Sequence, residues 1–136
     1  MATFDDIRRF ALALPEVTEH VSPSGRPAWR VRKKLIGCLR DERPDAVDAE
    51  TGDRLDDVLL FRVADEGAKQ AMLSDPSAAY FTTPHFDGWP AILVRITHLD
   101  RLTPEDVSEL VTEAWLCQAP KRVAKAWLDD AGPQPR

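Results

Sequence analysis

The alternation of apolar and polar positions is clearest between residues 89 and 97. Ile92, Val94 and Ile96 share one side of a period-2 strand, while Leu93, Arg95 and Thr97, with Trp89 at the strand start, share the other. With Tyr80-Phe-Thr-Thr83 before it and Pro84-His-Phe-Asp-Gly88 as the connection, this pattern predicts a hairpin whose second arm is the longest strand of the chain. One side of that arm is apolar and the other carries a cation and an aromatic ring, which predicts a sheet packed on one face only. Ala28-Trp-Arg-Val-Arg32 alternates in the same way, with Lys33-Lys34 as a tight connection to Leu35-Ile-Gly-Cys-Leu39, a hairpin with a basic tip. Val58 to Val63 is a further strand with Leu59, Phe61 and Val63 on one face and Arg62 on the other, and Glu16 to Ser22 reads as a short edge strand.

Helical spacing frames these strands. Thr3 and Asp6 have the spacing of a capping box ahead of Phe4, Ile7, Phe10, Ala11 and Leu14, and Pro15 stops that helix. A short helix is predicted from Asp65 to Leu73. Thr103-Pro-Glu-Asp106 supplies an N-cap, a first-turn proline and first-turn acids for a helix with Val107, Leu110, Val111, Ala114 and Trp115 as its stripe. Pro120 opens a last helix with Val123, Ala124, Trp127 and Leu128 inward and Lys121, Arg122 and Lys125 toward solvent. The expected class is therefore α+β: a mainly antiparallel sheet of about five strands packed by an N-terminal helix and C-terminal helices. A single domain over 1–130 with a frayed tail at 131–136 fits the length of 136 residues and the absence of any linker-like segment.

Composition narrows the functional classes. Apolar residues at 43% and charged residues at 30% are a globular balance, and the formal charge of -5 argues against a protein that coats nucleic acid indiscriminately. Eight carboxylates fall between residues 41 and 57 against Arg43 and Arg54 only, but not in the order of a calcium-binding EF-hand loop, so a solvated acidic loop is expected. No signal-peptide pattern or membrane span is present, Cys38 and Cys117 make no C-x-x-C pair, and a cytoplasmic protein with reduced, buried thiols is the expectation, with a disulfide as the minor alternative.

No phosphate-cradling glycine motif, nucleophile elbow or close His/Cys metal-ligand spacing occurs, so neither a catalytic set nor a cofactor or metal is implied. His85 with Asp87 can be read as a base held by an acid, or as a turn in which His85 packs on a neighbouring ring. His20, His85 and Trp89 form a candidate pocket if the fold brings them together. The predicted strands contain no acid at 28–32, 35–40, 58–63, 80–83 and 89–97, and their alternation places Arg30, Arg32, Arg62 and Arg95 together on the face opposite the core. With Lys33 and Lys34 at the hairpin tip and Lys121, Arg122 and Lys125 on the last helix, these are the candidate phosphate contacts. The alternative is that the arginines pair with the acidic loop, and that the lysines are ordinary solvated tips and helix faces.

Leu14-Pro-Glu-Val-Thr-Glu-His20, the hairpin Ala28-Trp-Arg-Val-Arg-Lys-Lys-Leu-Ile36, the pair Tyr80-Phe…Gly88-Trp89 and the closing Ala114-Trp115…Ala119-Pro-Lys-Arg122 together resemble the MmcQ/YjbR-like family of small bacterial proteins. The resemblance implies a compact α+β fold similar to secretion-chaperone architectures and a DNA-binding role through a double-wing motif. The chain departs from the family pattern in its acidic stretch at 41–57 and its net negative charge. Three functions are compatible with these residues: DNA binding or regulation through the arginine face, a protein-interaction module presenting Trp89, and, less favoured, a small-ligand binder near His20, His85 and Trp89.

Overall fold

The computed structural model describes the backbone of residues 1–131. The elements run α1 (Phe4–Ala13), β1 (Val17–Val21), β2 (Pro27–Val31), β3 (Lys34–Leu39), β4 (Val58–Arg62), α2 (Glu66–Leu73), β5 (Tyr80–Phe81), β6 (Ala91–Arg95), α3 (Pro104–Gln118) and α4 (Lys121–Ala131). The strands form a single antiparallel sheet in the order β1-β2-β3-β4-β6-β5. The expected class is thus observed, with six strands instead of about five because the short edge piece β1 enters the ladder beside the five arms at 28–32, 35–40, 58–63, 80–83 and 89–97.

Both capping boxes form. Thr3 Oγ1 accepts from the Asp6 amide while the Asp6 carboxylate accepts from the Thr3 amide, and Thr103 and Asp106 repeat the exchange at α3. Each box satisfies two amides that a helix start leaves without partners. Helix α3 crosses β3 and β4, with α1 beside it and Val123, Ala124 and Trp127 of α4 packed at the margin of the same core.

Pairing registers divide the side chains into rows. Trp29, Gly37, Phe61 and Ile92 stand side by side facing the helices, while His20, Ala28, Cys38, Leu60, Leu93 and Phe81 form the neighbouring row across all six strands on the other face. Gly37 has a steric cause. The Trp29 and Phe61 rings on either side of it are parallel, with centroids 6.3 Å apart, and a Cβ at Gly37 would lie 2.5 Å from Phe61 Cδ1 and 2.9 Å from the Leu60 carbonyl oxygen. A bulge between Trp29 and Arg30 absorbs Ile36 as the extra residue and keeps it buried in the core.

Three expectations are corrected. The strand predicted to run through Thr97 ends at Arg95, because β4 starts at Val58 and no partner remains beyond the Val58–Arg95 pair. Asp57 takes the next amides instead, its carbonyl that of Ile96 and its carboxylate that of Thr97, and the chain turns into a 3-10 segment over Ile96–Arg101. Trp89 belongs to the loop before β6 and not to the strand. The β2–β3 turn consists of Arg32 and Lys33, with Lys34 already paired to Val31, and Arg32 adopts φ 56°. Lastly, the face opposite the helices is not bare. Val58, Leu60, Ala91 and Leu93 are buried there beneath Phe86, so β4 and β6 are covered on both sides. Ala131 closes α4, and the remainder of the expected frayed tail lies outside the described residues. Among the described residues no helix is long and apolar enough to cross a membrane.

The packing across Gly37 generates a prediction. Gly37→Ala should destabilise the protein by about 1–3 kcal/mol, as overpacking of a well-filled core does, and should lower the urea midpoint without changing its slope. An unchanged midpoint would mean that Phe61 can yield the space at no cost.

Candidate binding groove

A groove of about 1010 Å³ lies on the helix-free face of the sheet. Ala28, Cys38 and Leu60 form its floor, Phe86 and Trp89 with His85 and Asp87 form one wall, and Arg40, Arg43 and Asp45 form the other. Burial pushes the Cys38 thiol up despite the nearby Arg40 and Arg30 guanidinium groups, so the floor is neutral and apolar around neutral pH.

The aromatic wall is built by the loop entering β6. Pro84–Phe86 form a single 3-10 turn, Gly88 takes φ 76°, and amide bonds from Phe86 to the Thr83 carbonyl and from Trp89 to the Phe86 carbonyl tighten the loop. Phe86 packs onto the buried patch of the sheet, whereas Trp89 remains 42% exposed. Cations from three elements hold the loop. Lys69 of α2, 2% exposed, donates from Nζ to the carbonyl oxygens of Phe86 at 2.8 Å and Trp89 at 3.0 Å. Arg62 of β4 donates from Nε to the Pro90 carbonyl at 3.2 Å, with its guanidinium carbon 4.7 Å from the Trp89 ring centroid. Arg40, just past β3, lies 4.9 Å from the Phe86 ring centroid.

The opposite wall is tied to the acidic stretch. Arg40 Nη2 donates to the Asp45 carboxylate at 3.0 Å, and Thr83 Oγ1 donates to the same group at 2.7 Å. Burial alone would raise the Asp45 pKa, but these bonds outweigh it and hold the carboxyl below its ordinary range. Arg26 Nη1 donates to the carbonyls of Arg40 and Asp56 and fastens both ends of the stretch to the sheet.

The candidate phosphate contacts do not assemble into one face. Arg30 and Arg62 are on the helix-free side, but Arg95, on the same side, is clamped by Asp57 at 2.9 Å. Arg32 has left the strand for the turn, where Glu16 takes it at 2.7 Å. The expected cluster of four guanidinium groups is therefore corrected to two without a carboxylate partner among the described residues, Arg30 and Arg62, because carboxylates at the ends of neighbouring segments reach the other two. Lys33 and Lys34 are exposed at the hairpin end. Lys121, Arg122 and Lys125 sit on α4, on the helix side of the sheet, with Lys125 paired to Asp129, so they do not share a surface with the groove. Of the candidate pocket, His85 and Trp89 line the groove together. His20 does not, lying on β1 opposite Ala28 with Nε2 3.1 Å from Thr18 Oγ1. His85 stands edge-on to Phe86 with centroids 5.0 Å apart and shares no hydrogen bond with Asp87 among the described contacts.

Lys69, Arg26, Arg40 and Phe86 were not among the residues singled out from sequence. Lys69 had a legible signal: it shares a helical stripe with Met72 and Leu73, three and four residues on, so a lysine falls on the inward face of α2.

Fold and groove define an α+β protein whose sheet is packed by helices on one face and hollowed by two loops on the other. The YjbR family profile matches residues 12–117, and the chain belongs to that family. It is 41% identical over 136 residues to the uncharacterized protein Rv2570 of Mycobacterium tuberculosis (strain ATCC 25618 / H37Rv), covering 97% of this chain and 100% of that one. The uncharacterized protein Mb2600 of Mycobacterium bovis matches with the same identity and coverage. The crystal structure of Deinococcus radiodurans protein DR2400, a DUF419 domain, superposes with a TM-score of 0.61 over 98% of this chain and 91% of that one; at 16% identity it shares the fold.

Asp57 provides a pH test of the assembly. Burial would raise its pKa, but the Arg95 side chain and the Thr97 amide outweigh burial and lower it. A carboxylate with a depressed folded-state pKa contributes stability that is present above its unfolded pKa and is lost as pH falls through the folded one. Asp57→Asn should therefore melt below the wild type at pH 7. The gap should narrow as pH falls below about 4, the ordinary range of an aspartate, and a gap independent of pH in thermal melts would contradict the assignment.

Proposed function

We propose that the helix-free face binds single-stranded nucleic acid, with Trp89 as the stacking platform. The observation that carries this reading is the half-exposed Trp89 ring at the groove wall, backed by Arg62 at 4.7 Å. A flat ring beside a cation suits a base and its phosphate, and base–aromatic stacking is tolerant of sequence. Arg30, Lys33 and Lys34 at the nearby hairpin end and Arg43 on the facing wall make no ion pair among the described residues, so their charge is available to a backbone. A duplex fits less well. Its affinity rests on neutralising many phosphates, and here Arg32 and Arg95 are already matched by carboxylates in a chain of net charge -5.

One observation favours a second reading. The groove lining balances Arg26, Arg40 and Arg43 with Asp41, Asp45 and Asp87 over an apolar floor, which suits an extended protein segment. Salt separates the two readings, because strand binding releases counterions and docking on a charge-balanced apolar floor does not.

Anisotropy titrations of a labelled oligothymidylate at low salt should show binding that weakens as salt rises. Trp89→Ala should cost about 1–3 kcal/mol of affinity, as loss of one stacked base does. Lys33→Ala should reduce the slope of log affinity against log salt by about 0.7. A flat titration with micromolar protein would exclude the nucleic-acid reading. A partner lost on Trp89→Ala but indifferent to salt would establish the protein-segment reading in its place.

A further inference from the structure

Lys69 is the one fully buried ammonium-bearing side chain among the described residues, and no carboxylate lies within 4.0 Å of it. Taking such a group out of water is unfavourable by several kcal/mol unless nearby dipoles replace its hydration. Here those dipoles are the Phe86 and Trp89 carbonyls, three residues apart in a single loop. The adjoining Pro90 carbonyl accepts from Arg62 as well as from the Val63 amide. Three carbonyls of the loop are thus drawn toward cations, while Phe86 packs on the sheet and Trp89 is left half exposed at the groove.

We infer that Lys69 is a positioning residue for the groove wall, its ammonium fixing the two carbonyls from which the orientations of Phe86 and Trp89 follow. The side chain lines no part of the groove itself. Its effect on a ligand is therefore indirect, through the pose of Trp89. A methionine at this position would fill the aliphatic space but leave each carbonyl with its backbone donor alone, the Trp89 amide on Phe86 and the Ala91 amide on Trp89, so the link that ties the loop to α2 would be lost.

Two measurements need no ligand. The amides of Phe86, Asp87, Trp89 and Ala91 are bonded within the loop or at its exit. In Lys69→Met their hydrogen exchange should accelerate at least about tenfold, while β2 and β3 amides keep wild-type rates, the signature of local opening. Equal acceleration throughout, or none in the loop, would overturn the inference. Should Lys69→Met fail to fold, the wild type labelled with ¹⁵N-lysine gives the second test. Of the five lysines, one side-chain ammonium should exchange its protons with water far more slowly than the other four, and five alike would refute a buried, carbonyl-bonded Lys69. A third arm rests on the proposed function: folded Lys69→Met should bind oligothymidylate about tenfold more weakly at an unchanged salt slope, since no phosphate contact is removed. If the wild type binds no oligonucleotide, the proposed function fails while the exchange tests stand. If the wild type binds and Lys69→Met binds equally well, the positioning role fails alone.

Discussion

The structure depends on β4 and β6 being apolar on both faces. Val58, Leu59, Leu60 and Phe61, and Ala91, Ile92, Leu93 and Val94, are all buried, yet α1 and α3 cover only one side. The second side is closed by the Pro84–Pro90 loop and the stretch before β4, segments rich in backbone carbonyls and amides. A fully buried Phe side chain contributes about 1.5–3 kcal/mol, and one buried carbonyl left without a donor forfeits about 1–3 kcal/mol. The two magnitudes are comparable, so a loop cover stabilises the sheet only when its inward carbonyls are bonded. The amides of Trp89, Ala91 and Val63 supply one donor each to the Phe86, Trp89 and Pro90 carbonyls, and Lys69 and Arg62 supply the second, tying the cover to α2 and β4.

The same constraint explains the acidic stretch. Its carboxylates are distributed as counter-charges: Asp41 beside Arg26, Asp45 on Arg40 and Thr83, Asp57 on Arg95 and the Thr97 amide. Each bond joins the stretch to a different part of the sheet or to the loop opposite. Partly buried pairs of this kind act more by fixing geometry than by net stabilisation. The charge of -5 is therefore a poor guide to the groove, because several acids are spent holding arginines in place and the cations at the hairpin end are not matched.

What was legible in the sequence was local. Thr3 with Asp6 and Thr103-Pro104 with Asp106 marked both helix starts because capping depends on residues three apart. Strand alternation placed Trp29, Phe61 and Val94 inward correctly. It failed where the ladder ran out of partners: nothing local to Ile96 and Thr97 reveals that Asp57 captures their amides. The family was legible in motifs spread over the chain, and the profile match over residues 12–117 agrees with it. Of the groove, His85 and Trp89 could be named because they lie four residues apart around a turn. The inward position of Lys69 could be read from its stripe with Met72 and Leu73, but its partners Phe86 and Trp89 could not, nor could the packing of Arg40 on Phe86, since these come from separate segments that only the folded sheet brings together.

Trp89 separates cover from site. Phe86 accounts for the closure of the apolar patch, being 5% exposed, and the loop's carbonyls are bonded by backbone amides together with Lys69 and Arg62 whatever side chain stands at position 89. The stacking of Arg62 on an exposed indole contributes about 0.5–1 kcal/mol, less than burying the ring would. Gly88, at φ 76°, turns the chain between the hidden ring and the displayed one and so keeps the indole out of the core that received Phe86. The indole also stacks on Phe86, with centroids 5.8 Å and planes 26° apart, so the buried ring and the Arg62 guanidinium both hold it while 42% of it stays open at the groove wall.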